Sequence, residues 1–429
     1  MPTPPARPDR RRLLVTAAAG PLLAAGCAAP RASRAERDEL ERLFSDLGDQ
    51  SGRWKPISAA EKRPRLARLA ELLGEQQIDA LLIEPGATLQ YLCDVSWGRS
   101  ERLFALVVLA DGSVFWVVPA FEAPRAERRI GAAEAPAGAL VAWDEHEYAF
   151  APLAAALRAR GVERLAIEPE ARAFVAEGAA AAFGRERVVA GLPLVRALRG
   201  RKDARELELL RAASELTQRA IRAVAERLRP GLDDHALGRW IVHAQQALGL
   251  RGTWVLPLIG PSAAYPHGEA EGRVLEPGAG ILVDTGGSLH GYQSDTTRSW
   301  SFGPPRDAEF ERAWHAVREA QRAAFARMAP GVPCREVDRA ARAAIEAAGY
   351  PGGYTVFGHR LGHGIGLQGH EEPYFDGGNE LALAPGMTFS NEPGIYLAGR
   401  LGVRLEDIVA ITATGADHFG SWQESPARP

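Results

Sequence analysis

Apolar positions along the chain change period several times, and each change marks an element. From Glu61 onward Leu66, Leu69, Leu72 and Leu73 recur at helical spacing and predict an amphipathic helix. The pattern then shortens to the apolar runs Asp79–Ile83, Leu103–Leu109 and Ser113–Val118, bounded by Gly, Pro or the turn dipeptide Asp111-Gly112, which predict buried strands. Helical patterns return near 151–159 and 169–182, around a further buried run at Leu165–Ile167. These elements predict an α/β domain over residues 61–198 with no concentrated group of catalytic residue types. Residues 28–60 are polar and helix-prone, with Glu36, Asp38, Glu39 and Glu41 beside Arg34, Arg37 and Arg42; they predict a tether and a surface helix without chemistry.

Beyond Leu198 the chain repeats itself at an offset of 100 residues. Ala220, Arg222, Ala223, Arg227, Pro230 and Gly231 recur as Ala320, Arg322, Ala323, Arg327, Pro330 and Gly331. Each copy reads as a long amphipathic helix, a Pro-Gly turn, a second helix ending at Gly249 or Gly349, and an extended region. A duplicated unit predicts two halves about a pseudo-twofold axis, with a cleft where they meet.

Composition narrows the function. The chain has 429 residues, is 46% hydrophobic and 24% charged, and carries a net charge of −3, which excludes disorder and gives no global basic field for nucleic acid. Its basic residues are nearly all Arg, with Lys only at 55, 62 and 202, a usage to which no function attaches. Cys27, Cys93 and Cys334 cannot build a disulfide framework and are wrongly spaced for zinc. Residues 1–27 read as an export signal: Arg10-Arg11-Arg12-Leu13-Leu14 resembles a twin-arginine signal, and an apolar stretch of about 13 residues follows, too short to span a membrane. Leu23-Ala24-Ala25-Gly26-Cys27 resembles a bacterial lipobox, with Ala24 where that box usually has Leu, so lipidation of Cys27 or simple cleavage nearby are the two readings. The expected location is the periplasm, soluble or anchored by lipid. Removing residues 1–26 takes away four Arg and one Asp and leaves a more acidic chain.

The chemistry is concentrated in the extended regions of the repeat. Val283-Asp284-Thr285-Gly286-Gly287 and Ser294-Asp295-Thr296 would converge if the stretch through Gly291 forms a hairpin, although an Asp beside Gly more often caps a turn. Two adjacent carboxylates repel unless a cation lies between them. Gly362-His363-Gly364 sets an imidazole where backbones approach closely, and Asn391-Glu392-Pro393 and Arg404-Leu405-Glu406 put glutamates in apolar, strand-like settings. Four carboxylates and one imidazole make a ligand set for two divalent ions. Oxygen-rich ligation without thiolate favours manganese, cobalt, iron or zinc and disfavours a structural zinc site.

These motifs, in order and spacing over residues 199–412, resemble the pita-bread metallopeptidases, in the branch of aminopeptidase P and prolidase; residues 61–198 resemble the smaller N-terminal domain of that branch. The resemblance implies an α/β (α+β) chain: an export signal at 1–27, a tether at 28–60, an N-terminal creatinase/prolidase-type domain at 61–198 and a duplicated pita-bread domain at 199–429. It implies Asp284, Asp295, His363, Glu392 and Glu406 as ligands of two divalent metal ions, manganese first, with cobalt, zinc or iron as alternatives. His267, His359 and His370 match the family's other active-site histidines, and Arg404, two residues before the last ligand, is expected to orient a carboxylate. Asp407, beside a ligand, reads as structural support. His146, His235, His243, His290, His315 and His418 read as surface or satisfied core histidines. Gln368-Gly369 departs from the aminopeptidase P pattern ahead of His370, whereas Gly364-Ile365-Gly366-Leu367 is closer to aminopeptidase P and bacterial prolidase-like members; both touch substrate choice.

The implied activity is hydrolysis of the bond before a proline in second position, in peptides or Xaa-Pro dipeptides, by a metal-bridged hydroxide. Glu392 would shuttle the proton, His267 and His370 would stabilise the oxyanion, and His359 would line the proline pocket. A homodimer or larger assembly is implied as well. A creatinase-like amidinohydrolase and a non-catalytic peptide-binding protein on the same scaffold are the alternatives; both usually lose ligands that this chain retains, and methionine aminopeptidases typically lack the domain at 61–198.

Overall fold

The computed structural model describes residues 33–269 and 272–429, so the expected export signal at 1–27 and Cys27 lie outside the described residues. Helix α1 (Arg34–Leu43) starts from a capping box in which the Ser33 hydroxyl accepts from the Glu36 N–H and the Glu36 carboxylate reaches back to Ser33 N–H. It lies on the surface of the protein, held by apolar residues. Leu40 and Phe44 are buried, the Phe44 ring stands 6.1 Å edge-on to Trp240, and Arg227 donates to the Leu43 carbonyl at 2.9 Å. The segment is docked on the later half of the chain.

Helix α2 (Ala59–Glu75) follows a second capping box, Ser58 with Glu61, and then β1 (Ala80–Ile83) and α3 (Ala87–Cys93). Strands β2 (Ala105–Leu109) and β3 (Val114–Pro119) meet across the expected Asp111-Gly112 turn, where Gly112 has φ +82°. Helix α4 (Ala123–Ala132), β4 (Ala139–Trp143), α5 (Phe150–Ala159), β5 (Leu165–Ile167), α6 (Ala173–Phe183), β6 (Val188–Ala190) and α7 (Leu192–Arg199) complete a six-stranded mixed sheet of order β4-β3-β2-β1-β5-β6. Its inner strands read as unbroken apolar runs because helices cover both faces. Leu81 and Ile83 pack with α2 and α3 on one side, and Ala80 and Leu82 pack with α5 and α6 on the other.

The duplicated C-terminal part begins with α8 (Ala204–Ala225), capped by Asp203, and α9 (Asp234–Ala247). Strands β7 (Arg251–Ile259), β8 (Gly280–Leu289), β9 (Tyr292–Gln293) and β10 (Thr296–Ser301) form a sheet in the order β10-β8-β7, with β9 paired to β8. Helices α10 (Glu309–Arg327) and α11 (Cys334–Ala347) repeat the first pair, and β11 (Gly362–Gly364), β12 (Glu371–Phe375), β13 (Thr388–Asn391), β14 (Gly394–Leu397), β15 (Leu401–Arg404), β16 (Asp407–Ile411) and β17 (Ala416–His418) follow. The second sheet has the order β12-β11-β13-β16-β17, and β14 and β15 form a separate hairpin.

The repeat is realised at the level of single hydrogen bonds. Gly231 and Gly331 have φ of +86° and +85°. Their N–H groups donate to Leu275 and Leu383, which donate back to Leu232 and Val332. Helices α9 and α11 both have 14 residues.

Two further features bear on the site. One apolar core runs from Leu69 and Leu72 in α2 through Leu209, Leu216 and Ile241 to Val283 and Trp300, joining the N-terminal domain to the first half of the duplicated part. The chain end laces the free edge of β10: Ser301 N–H donates to the Pro426 carbonyl at 2.9 Å, Gln423 Nε2 donates to the Ser299 carbonyl at 2.7 Å, and Arg298 reaches the Ser421 carbonyl at 3.0 Å. Among the described residues no helix is long and apolar enough to cross a membrane.

Candidate metal centre

Asp284 lies in the middle of β8, opposite Thr297 of β10, and Asp295 immediately precedes β10. The expected hairpin forms, with its turn at His290-Gly291, where φ is +51° and +93°, while Gly286 and Gly287 remain in β8. Gly286 is required there, since a Cβ would stand 2.0 Å from the Ser294 carbonyl oxygen. From the second half, β11 supplies His363, Glu392 follows β13, and Glu406 lies between β15 and β16.

The five side chains converge. His363 Nε2 lies 3.6 Å from Asp295, 3.5 Å from Glu392 and 3.9 Å from Glu406. Ligand atoms of Asp284, Asp295 and Glu406 form one group and those of His363, Glu392 and Glu406 another, with every atom in a group within 4.8 Å of the others. A third group joins Asp295 and His363 to His370.

Such an arrangement makes little sense without cations. His363 Nδ1 donates to the Gly364 carbonyl at 3.0 Å, so its Nε2 lone pair faces three carboxylates. Burial pushes this imidazole down to about 3, helped by His370, and so keeps it neutral. Burial and then the neighbouring carboxylates push Asp295 and Glu406 well above the usual carboxylate range. Burial also drives Glu392 up to about 8, against the pull of Arg404. Asp284 Oδ1 is buried without a hydrogen-bond partner. A neutral imidazole, four crowded carboxyls and an orphaned oxygen are the donor set that divalent cations satisfy.

Polar neighbours fix the cluster from behind. Arg404 Nη2 donates to Asp284 Oδ2 at 2.6 Å, its Nε to Thr297 Oγ1 at 3.0 Å, and its Nη1 to Tyr396 OH at 2.8 Å and to the Pro266 carbonyl at 3.2 Å. The Thr297 hydroxyl passes its proton side to Glu406 at 2.7 Å, and Ser390 donates to Glu392 at 3.0 Å. Thr297, Ser390 and Tyr396 were not singled out from the sequence. The signal was available for two of them: Asp295 with Thr297, and Ser390 with Glu392, are spaced by two along extended chain, which turns both members to one face.

The remaining predicted residues surround this cluster. The His370 ring stacks on His363 at 3.7 Å. His359 donates from Nδ1 to the Arg360 carbonyl at 2.8 Å and accepts from Tyr396 OH at Nε2, also 2.8 Å, so both ring nitrogens are used inside the protein; burial keeps it neutral, lowered to about 3. His267 is exposed on the loop whose Pro266 carbonyl Arg404 holds, within electrostatic reach of His359 and His370. Asp407 is structural: buried, it accepts from Arg298 at 2.6 Å, Gln218 at 2.9 Å and Gln321 at 3.1 Å. His418 stacks on Trp422 beside it, and Cys93 and Cys334 are free, buried thiols.

Relatives carry the same architecture. Residues 208–413 match metallopeptidase family M24 and residues 65–200 match the creatinase/prolidase N-terminal domain. A probable dipeptidase PepE of Mycobacterium tuberculosis is 38% identical over 355 residues, covering 82% of this chain and 92% of that protein. The crystal structure of dipeptidase PepE from Mycobacterium ulcerans superposes with a TM-score of 0.80 at 34% identity, covering 87% of this chain and 99% of that one. A prolidase from Thermococcus sibiricus gives a TM-score of 0.74 at 29% identity over 84% and 97%. The family requires metal, and the converging carboxylates and imidazole supply a donor set for it. The chain belongs to the pita-bread peptidases of metallopeptidase family M24, in the branch of prolidase and aminopeptidase P.

Proposed function

We propose that the protein is a dinuclear peptidase that releases the N-terminal residue from Xaa-Pro dipeptides or from peptides with proline second. The observation that carries the reading is the convergence of Asp284, Asp295, His363, Glu392 and Glu406 into two overlapping donor groups that share Glu406. Two divalent cations held there, manganese foremost, would supply a water of lowered pKa and a Lewis acid for the scissile carbonyl.

The chain's own residues do the rest. Glu392 takes the proton from the attacking water and returns it to the leaving nitrogen, with Ser390 fixing one carboxylate oxygen. His370, stacked on His363, and His267, on the loop held by Arg404, donate to the carbonyl oxygen as negative charge develops. His359, whose nitrogens are both engaged, offers ring surface and not a proton, which suits an apolar proline ring. Arg404 fixes Asp284 and the His267 loop together.

Residues 1–27 complete the proposal as an export signal, with substrates met in the periplasm and a homodimer or larger assembly as the working form. The mass of the mature N-terminus tests the cleavage site and lipidation, and light scattering tests the assembly.

The deciding experiment is hydrolysis of Gly-Pro and of Gly-Pro-Xaa peptides of increasing length, with and without manganese, by wild type and Glu392→Gln. Cleavage restricted to the dipeptide indicates a prolidase, and the reverse an aminopeptidase P. Glu392→Gln is expected to lose turnover by at least about 100-fold while metal content stays near wild type. Full activity in that variant, or no cleavage of any proline-containing peptide by wild type, would sink the reading.

A further inference from the structure

Arg199 is the last residue of α7, in the N-terminal domain, yet its side chain is 6% exposed and is spent on the catalytic domain. Its Nη2 donates to Gln368 Oε1 at 2.7 Å and to Glu371 Oε2 at 2.6 Å. Its Nη1 donates to Thr88 Oγ1 in α3 at 3.1 Å. Lys202 Nζ takes the second oxygen of Glu371 at 2.6 Å. One carboxylate is thus enclosed by two cations, all three side chains at most 8% exposed.

The two acceptors on the catalytic side are not arbitrary. Gln368 and Glu371 bracket Gly369-His370, so a single guanidinium nitrogen grips the chain on both sides of His370. The His370 imidazole is exposed, and among the described residues its one ring contact is the stack on His363. Its place is set by where the backbone carries it. The adjoining turn has no slack either, because a Cβ on Gly366 would lie 2.6 Å from Glu371 Oε1 and 3.0 Å from Lys202 Cε.

We propose that Arg199 is a positioning residue for His370, through which the N-terminal domain sets the geometry of the catalytic site. The proposal rests on the reading of His370 as a donor to the substrate carbonyl. Only a planar fork reaches Gln368, Glu371 and Thr88 at once, so Lys at this position keeps the charge and loses the grip. Small displacements of a catalytic group cost rate far more than they cost binding.

A double-mutant cycle on the metal-loaded, full-length protein tests this, with the peptide that wild type cleaves best. Arg199→Lys is expected to lower kcat by about tenfold or more with KM within about twofold, and in a His370→Ala background the same change should alter kcat by less than about twofold. An equal fold loss in both backgrounds would overturn the positioning role while leaving that of His370 intact. If His370→Ala alone is fully active, the catalytic reading of His370 fails, and the proposal is then decided without activity. In metal-free protein the His370 ring proton resonances, assigned by their loss in His370→Ala, are expected to shift and broaden in Arg199→Lys. Unchanged resonances reject the proposal. Should Arg199→Lys fail to fold, Gln368→Ala, which removes half of the grip at a partly exposed residue, goes through the same cycle with the same outcomes.

Discussion

Crowded carboxyls make the metal-free protein sensitive to pH in a calculable direction. Glu392 rises from 4.5 to about 8, first through burial, and Asp295 and Glu406 rise for the same first cause, so the folded state holds protons that the unfolded chain has released. Stability is therefore lost as pH climbs toward 8. His359 and His363 act oppositely: lowered from 6.5 to about 3, mainly by burial, they stay neutral when folded and cost stability as pH falls below 6.5. Between pH 6.5 and 8 only the carboxyls act. The melting temperature of chelator-treated protein is expected to fall across that window and saturating manganese to reduce the fall, leaving the smaller share of Glu168, which burial raises to about 7 away from the metal centre; calorimetry showing a flat metal-free profile would contradict it. The sequence carried the identity of these groups, since His359 and His363 stood beside glycine, Glu392 and Glu406 in strand-like apolar settings, and Asp295 eleven residues after Asp284 across a turn. It did not carry their supports. Tyr396 reaches His359 and Arg404 only because the β14–β15 hairpin folds back, a contact no local pattern encodes.

That hairpin shows how little clearance the strands leave. A Cβ on Gly402 in β15 would stand 1.6 Å from the Ala263 carbonyl oxygen, on the turn that leads to His267. Gly402→Ala is expected to destabilise the protein by about 3 kcal/mol or more and to weaken metal binding, because the backbone rather than a side chain must move. Chemical denaturation and a metal titration of the purified variant check both. Strands with helices on both faces were legible as solid apolar runs. Five N-terminal elements were not: α3, β6 and α7 have only 7, 3 and 8 residues, α4 (Ala123–Ala132) is mostly charged or small, and β4 is largely exposed or half-buried, so none carries a strong period. The repeat was legible because its turns need glycine at positive φ, which fixes Gly231 and Gly331 whatever the surrounding sequence does.

The halves and the N-terminal domain are locked together by more than the linker between them. Arg65 in α2 pairs with the exposed Asp203 at 3.1 Å and with the buried Glu206 at 3.7 Å, and Tyr292 donates to Glu206 at 3.0 Å, a polar seam continuous with the shared apolar core. The docking of residues 34–57 had a signal that the charge of the stretch masks: Leu40, Leu43, Phe44 and Leu47 recur at helical spacing, and these four residues pack on the shared core. Phe44→Ala is expected to cost about 3 kcal/mol, as loss of a buried ring does, with metal content unchanged; a change within error in denaturant unfolding would mean that the segment contributes nothing.

The lacing of β10 by the chain end has a consequence for how the protein behaves at high concentration. β10 is the terminal strand of its sheet and bears Trp300 and several hydroxyl residues, with Arg298 its one charged side chain. Left bare, such a strand offers its unpaired amides and carbonyls to any neighbouring chain. The Ser421–Pro426 strap occupies those groups in place of a second molecule, and so acts as a built-in guard against edge-to-edge polymerisation. Chains cut after Gly420, which keep β17 and the buried Phe419, are expected to form fibrous or amorphous aggregates even when freshly purified, in a manner that dilution slows.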